Sequence, residues 1–233
     1  MMPAPKRAPR VRRRPEGLES HVILLAGLST LALAGCLKVG EDVFSKETAP
    51  FDEPIRAWFL AHQTPLGERF FLLVTNTGGP SVVIPVSVVI GIWLRKQRNL
   101  PIAGSVMLAP AVALSVFSLV KQMFRRQRPE GATRRKVAHY SFPSGHSATS
   151  AAIFGTLAWV LWREEMIPTA AAATLALVPP ALIGTSRVYL DVHWATDVIG
   201  GWSVGTLVAA MSAVVYERVR TLTRERKPRF LLP

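Results

Sequence analysis

Apolar runs long enough to cross a bilayer alternate along this chain with short charged or proline-rich breaks. Residues 21–39 form the first run, and about 20 such residues span the hydrocarbon core as a helix. Residues 40–65 are mixed. Pro50, Pro54 and Pro65 interrupt them, while Ile55, Trp58, Phe59 and Leu60 recur near helical spacing. That pattern predicts a short amphipathic helix lying in the membrane interface. Residues 66–94 follow, broken by Gly78-Gly79-Pro80. They predict a buried half-helix over 66–77 and a spanning helix over 80–94, bent at Pro85. Residues 100–120, 146–162, 167–186 and 193–216 each predict a further span, with Pro179-Pro180 as a kink. The fold class read from this pattern is all-α. It is a polytopic membrane bundle of six transmembrane helices over 21–216, between basic tails at 1–20 and 217–233. No internal repeat recurs at a fixed period.

Charge gives the bundle a direction. If the helices alternate, the N-terminal tail, the 95–98 turn, the 163–165 turn and the C-terminal tail share one side. These segments hold 6, 3, 1 and 6 basic residues, which marks that side as cytoplasmic. Both termini are therefore expected in the cytoplasm. The compact size and basic tails suggest a bacterial inner (cell) membrane. The 121–142 segment then faces outward, yet it carries Lys121, Arg125, Arg126, Arg128, Arg134, Arg135 and Lys136. Two explanations stand: anionic lipid on the outer leaflet, or an anionic substrate. The net charge of +13 would also suit nucleic acid, but it flanks apolar runs and no nucleic-acid motif is present. The bilayer is the expected partner, and nucleic acid is not. Nothing in the pattern specifies an oligomeric state. Cys36 is the sole cysteine, so no intramolecular disulfide can form. Leu33-Ala34-Gly35-Cys36 has the composition of a lipoprotein cleavage box; the simpler reading is a cysteine inside the first span.

Alternation has a geometric consequence. The end of the third span, the start of the fourth, the end of the fifth and the start of the sixth emerge on one face. Those positions hold Lys121, His146, Arg187 and His193. Ionisable groups at a membrane edge are functional candidates by default. His193 and Asp197 are four apart and would share a helix face, so the carboxylate can fix the imidazole tautomer and leave one lone pair free to attack. Taken alone, the pair could equally be a helix-start charge pair. Ser144-Gly145-His146 opens the fourth span, where backbone N–H groups favour anions and Gly145 permits close approach. Taken alone, that motif is an ordinary turn and N-cap. Lys121, Arg128 and Arg187 offer charge and forked donors for phosphate oxygens. Arg126 is a further candidate for phosphate contact. Asp191 opposes substrate charge unless a neighbouring arginine such as Arg187 pairs with it.

These residues resemble the signature of the type 2 phosphatidic acid phosphatase (PAP2) superfamily, a fold shared with haloperoxidases. Its first part, Lys and then Arg-Pro, stands here as Lys121 and Arg128-Pro129. Its second, Pro-Ser-Gly-His, is residues 143–146, and its third is Ser186-Arg187, His193 and Asp197. The resemblance covers 66–216. It implies a lipid phosphatase in which His193 is the nucleophile that becomes phosphohistidine, Asp197 orients it and His146 protonates the leaving group. It also implies that Lys121, Arg128, Arg187, Ser144 and Gly145 hold the phosphate oxygens, with no metal and no cofactor. The substrate would be a membrane lipid phosphate or diphosphate: undecaprenyl diphosphate, phosphatidylglycerol phosphate or phosphatidic acid. A lipid phosphotransferase would use the same residues, and so do vanadium haloperoxidases, which are soluble. From another class, a non-catalytic protein that binds anionic lipid would share the charge but has no need of two histidines.

Overall fold

The computed structural model describes residues 18–97, 101–134 and 140–226. The basic positions Lys6 to Arg14, Arg98, Arg135, Lys136, Lys227 and Arg229 lie outside them. Every regular element among the described residues is helical. The first apolar run becomes α1 (Leu18–Phe44), with Cys36 packed in its interior against the Phe117–Ala148–Val204 cluster. The mixed segment yields α2 (Ala49–Ala61), and the next run splits into α3 (Pro65–Thr77) and α4 (Pro80–Gln97). α3 and α4 bend by 47° at Gly78-Gly79. A single span over 100–120 was expected. Two helices stand there, α5 (Pro101–Val106) and α6 (Ala109–Phe124), because Pro110 in the first turn of α6 has no N–H to continue a ladder. The short α7 (Gly131–Arg134) follows. Then come α8 (Gly145–Arg163), α9 (Thr169–Tyr189) and α10 (Ala195–Arg226).

α10 is the axis of the bundle, and α8 and α1 pack along it. Glycine makes the α8–α10 approach possible. A Cβ on Gly201 would fall 2.5 Å from the Ser144 carbonyl oxygen, and one on Gly205 would fall 2.3 Å from that of Ala148. Such small-residue contacts are how membrane helices gain dispersion contact when apolar burial offers no gain over lipid.

Three helices, α1, α9 and α10, are long and apolar enough to cross a membrane alone, and a fourth crossing results if bent α3–α4 counts as one span. α6 is apolar but shorter. α8 is not among these helices, and its N-terminal half carries His146, Ser147, Thr149 and Ser150. Those side chains are covered by protein rather than lipid, apart from a half-buried His146. The last helix also runs past the expected span, and α10 continues to Arg226. Glu217 is 1 % exposed and accepts hydrogen bonds from Arg163 Nε (2.7 Å) and Trp159 Nε1 (3.2 Å). Arg220 Nε pairs with Glu164 at 2.7 Å. These bonds clamp the end of the bundle opposite the predicted site.

Candidate active site

The nucleophile candidate sits in a tight loop rather than on a helix. α9 ends at Tyr189 and α10 begins at Ala195, so His193 precedes the helix it was expected to open. The loop is folded onto Arg187, whose carbonyl accepts from the backbone N–H groups of Val192 (3.1 Å) and His193 (3.2 Å). Asp191 turns the chain at φ 53°, a left-handed conformation that aspartate tolerates better than most residues. Its carboxylate does not pair with Arg187. It receives Arg56 Nε at 2.7 Å, Arg56 Nη2 at 3.0 Å and the Gly131 N–H at 2.9 Å. The negative charge is thus neutralised by a residue of α2.

Asp197, in the first turn of α10, bends back over the helix start. Its Oδ2 accepts the Trp194 N–H at 2.9 Å, in the manner of a capping box, and lies 3.2 Å from His193 Nδ1. The Ser141 hydroxyl donates to the same oxygen. The other ring nitrogen, His193 Nε2, lies 2.9 Å from Arg128 Nη1. A guanidinium has no lone pair to offer, so Nε2 must be the acceptor and the ring proton sits on Nδ1, facing Asp197. One tautomer is thereby fixed from both sides. Burial, reinforced by Arg128, Arg187, Lys121 and His146, holds the imidazole well below its ordinary 6.5. It stays neutral, and its lone pair is available at neutral pH. The same interaction shows that the predicted residues of α6, α8 and α9 converge within electrostatic reach of His193.

Each cation is held by protein oxygen. Arg128 also donates to the carbonyls of Val192 (2.7 Å) and Tyr140 (3.2 Å). Lys121, in the last turn of α6, donates to the carbonyls of Tyr140 (2.5 Å) and Ser141 (3.3 Å). Arg187 Nη1 donates to Thr75 Oγ1 of α3 at 2.6 Å. Ser144 is the N-cap of α8, its Oγ accepting from Ser147 N and Ser147 Oγ, while its own N–H donates to the Asp197 carbonyl at 2.9 Å. Gly145 has a packing reason, since a Cβ there would fall 2.6 Å from the Phe117 ring. His146 faces the α3–α4 break. A Cβ on Gly79 would lie 3.5 Å from its Nε2, and Thr149 Oγ1 donates to the Gly78 carbonyl at 3.3 Å.

Arg126 departs from expectation. Both amino groups are engaged by protein: Nη1 with Asp197 Oδ1 and Thr196 Oγ1, each at 2.7 Å, and Nη2 with Thr48 Oγ1 (2.7 Å) and Asp52 Oδ2 (2.6 Å). It braces Asp197 and is not free to grip a phosphate. Sequence reasoning missed Asp52, Thr75 and Ser141. An acidic pair, Asp52-Glu53, in an otherwise amphipathic α2 was the available signal for Asp52. Thr75 and Ser141 gave none. No group of three or more histidine, cysteine or acidic residues placed to hold a metal occurs among the described residues.

A family model described as the PAP2 superfamily matches residues 100–221. Phosphatidylglycerophosphatase B of Bacillus subtilis is 31 % identical over 143 residues, covering 58 % of this chain and 68 % of that protein. An undecaprenyl-diphosphatase of Sulfolobus acidocaldarius is 25 % identical over 152 residues, covering 62 % and 68 %. Among solved structures, a transmembrane PAP2-type phosphatidylglycerolphosphate phosphatase from Bacillus subtilis superposes with a TM-score of 0.72 at 25 % identity, over 87 % of this chain and 98 % of that one. Apolar helices and membrane relatives together make this a membrane protein. Since the family match takes in more than half of the chain and every predicted site residue from Lys121 to Asp197, the chain belongs to the PAP2 superfamily.

Proposed function

We propose that this PAP2-type phosphatase removes the terminal phosphate of a lipid phosphate or diphosphate through a phosphohistidine intermediate. The observation that carries the reading is the two-sided hold on His193, with Asp197 on Nδ1 and Arg128 on Nε2. His193 Nε2 attacks phosphorus as the bond to the leaving oxygen breaks, and His146 hands that oxygen a proton. Asp197 accepts the Nδ1–H bond and stabilises the positive charge that develops on the phosphorylated ring. Lys121, Arg128 and Arg187, with Ser144 and the Gly145 N–H, bind the equatorial oxygens and supply the charge stabilisation on which phosphoryl transfer depends. Water, deprotonated by His146, then cleaves the N–P bond and restores the neutral imidazole. The relatives' names support phosphatidylglycerol phosphate and undecaprenyl diphosphate as substrates, and phosphatidic acid presents the same terminal phosphomonoester.

The domain at 21–216 would cross the inner membrane of a bacterium six times, counting α3–α4 and α5–α6 as one broken span each. Both termini would be cytoplasmic and the site extracytoplasmic. Convergence of Lys121, His146, Arg187 and His193 at the end opposite the Arg163–Glu217 clamp supports that arrangement. The test is phosphate release from the three lipids in detergent with chelator present, alongside His193→Ala. Release that the substitution abolishes is expected; full activity in His193→Ala overturns the mechanism. Enzyme quenched in alkaline denaturant should carry phosphate on His193 that survives base and is released by acid.

A further inference from the structure

We propose that Asp52 of α2 is a positioning residue for the nucleophile, acting on Asp197 through the fork of Arg126. Asp52 is 1 % exposed, and both its oxygens are committed. Oδ1 accepts the Thr196 N–H at 2.9 Å; Oδ2 accepts Thr196 Oγ1 at 2.7 Å and Arg126 Nη2 at 2.6 Å. The guanidinium then reaches Asp197 Oδ1 with Nη1 at 2.7 Å. Asp52 therefore bonds the first turn of α10 directly and braces its catalytic carboxylate through one planar, always-charged group.

The charge count explains why a second carboxylate is needed. Asp197 is surrounded by Arg126 and by the cations that surround His193: Lys121, Arg128 and Arg187. Without Asp52, Arg126 would place an uncompensated positive charge on the carboxylate that must support an imidazolium-like phosphohistidine. With Asp52, Arg126 is shared, and Asp197 keeps Oδ2 for His193. Asp52 precedes residue 100, where the family match begins. The segment before that match thus contributes to the reaction centre.

The inference rests on the proposed phosphohistidine mechanism, and the test separates the two. Wild type, His193→Ala, Asp52→Asn and Arg126→Lys are assayed as full-length enzyme in detergent on phosphatidic acid, with kcat, KM and the pH dependence of kcat/KM determined. The groups facing His193 are Asp197, Arg128, Lys121, Arg187 and His146, and none of them changes in Asp52→Asn. Loss of one negative charge disfavours the imidazolium. The acid limb should therefore move to lower pH while kcat falls about tenfold to a hundredfold at unchanged KM. A purely structural role would lower the yield of folded enzyme and leave both kcat per folded enzyme and the pH profile as in wild type; that result overturns the proposal. If Asp52→Asn does not fold, Arg126→Lys decides. A lysine keeps the charge but lacks the planar fork that aims Nη1 at Asp197 and Nη2 at Asp52, so at least a tenfold loss of kcat is expected, and wild-type kcat overturns the proposal. Full activity in His193→Ala would instead remove the mechanism itself.

Discussion

Arg128 Nη1 lies 2.9 Å from His193 Nε2, on the lone pair that the proposed reaction uses. An incoming phosphate must draw the guanidinium onto its own oxygens to expose that lone pair, so substrate binding and release of the nucleophile become one event. Arg128 is also the leading electrostatic contribution, after burial, to the low pKa of His193. In Arg128→Ala the imidazole should move back up toward 6.5, and the acid limb of kcat/KM should rise in pH with it. Loss of a phosphate clamp should lower kcat/KM by about a hundredfold to a thousandfold. A pH–rate profile of the variant checks both outcomes.

The same depressed pKa makes a prediction about stability. In the unfolded chain His193 titrates near 6.5, while in the folded protein it stays neutral well below that. Between the two values the unfolded state binds more protons, so stability is full above 6.5 and declines as pH falls toward the folded value. The slope from this one group is at most about 1.4 kcal/mol per pH unit. His193→Gln has no such group, and its thermal midpoint in detergent should fall less steeply below pH 6.5 than that of wild type. Parallel curves would contradict a buried neutral imidazole.

Thr75 has no place in the family signature, yet its hydroxyl holds Arg187 Nη1 at 2.6 Å. Thr75→Val keeps the shape and removes the acceptor. A hydrogen bond to a charged group contributes about 1.5–3 kcal/mol, so kcat/KM should drop roughly tenfold to a hundredfold with the fold intact. Steady-state kinetics normalised to folded enzyme, with the thermal midpoint recorded alongside, would establish the effect.

The far end of the bundle should behave in the opposite way. Glu217→Ala strands Arg163, whose side chain is 22 % exposed, and removes the acceptor of Trp159. The loss should be about 2–4 kcal/mol of stability. The remaining folded enzyme should keep wild-type kcat. Thermal unfolding and active-site-normalised turnover separate the two quantities.

Gly145→Ala forces a methyl group to within 2.6 Å of the Phe117 ring. Overpacking of this kind costs about 1–3 kcal/mol, and it would displace the N-terminus of α8 with His146. Phe117→Leu in the same chain should recover part of both stability and activity. No recovery would mean that the glycine is required for backbone approach to phosphate alone.

The catalytic candidates were legible because each sits in a short polar cluster at the end of an apolar run. Lys121, Arg128, Ser144, His146, Arg187 and His193 are visible against hydrocarbon, and alternation of helices is enough to gather them. Their partners were not legible. Asp52 is 74 positions from Arg126, and an acid in an interfacial helix normally faces water. Only the packing of α2 against α9 and α10 buries it. The partner of Asp191 was hidden for a related reason: Arg187 is near in sequence, but Arg56, 135 positions away, is where α2 crosses the loop. The break before α6 hid in Pro110, which composition alone cannot distinguish from a kink. The end of α10 was hidden because Glu217 and Arg220 read as tail charges until their partners on the α8 turn are known.

The Ser144 N–H and the Asp197 carbonyl join two main chains at 2.9 Å, immediately beside the two histidines. Apart from proline at 144, no side-chain replacement deletes either group, so drift in sequence can alter what surrounds the imidazoles far more easily than the gap between them. Diversification toward new lipids would then be channelled into the positions of α2 and α3 other than Asp52, Arg56 and Thr75, the three that reach into the site.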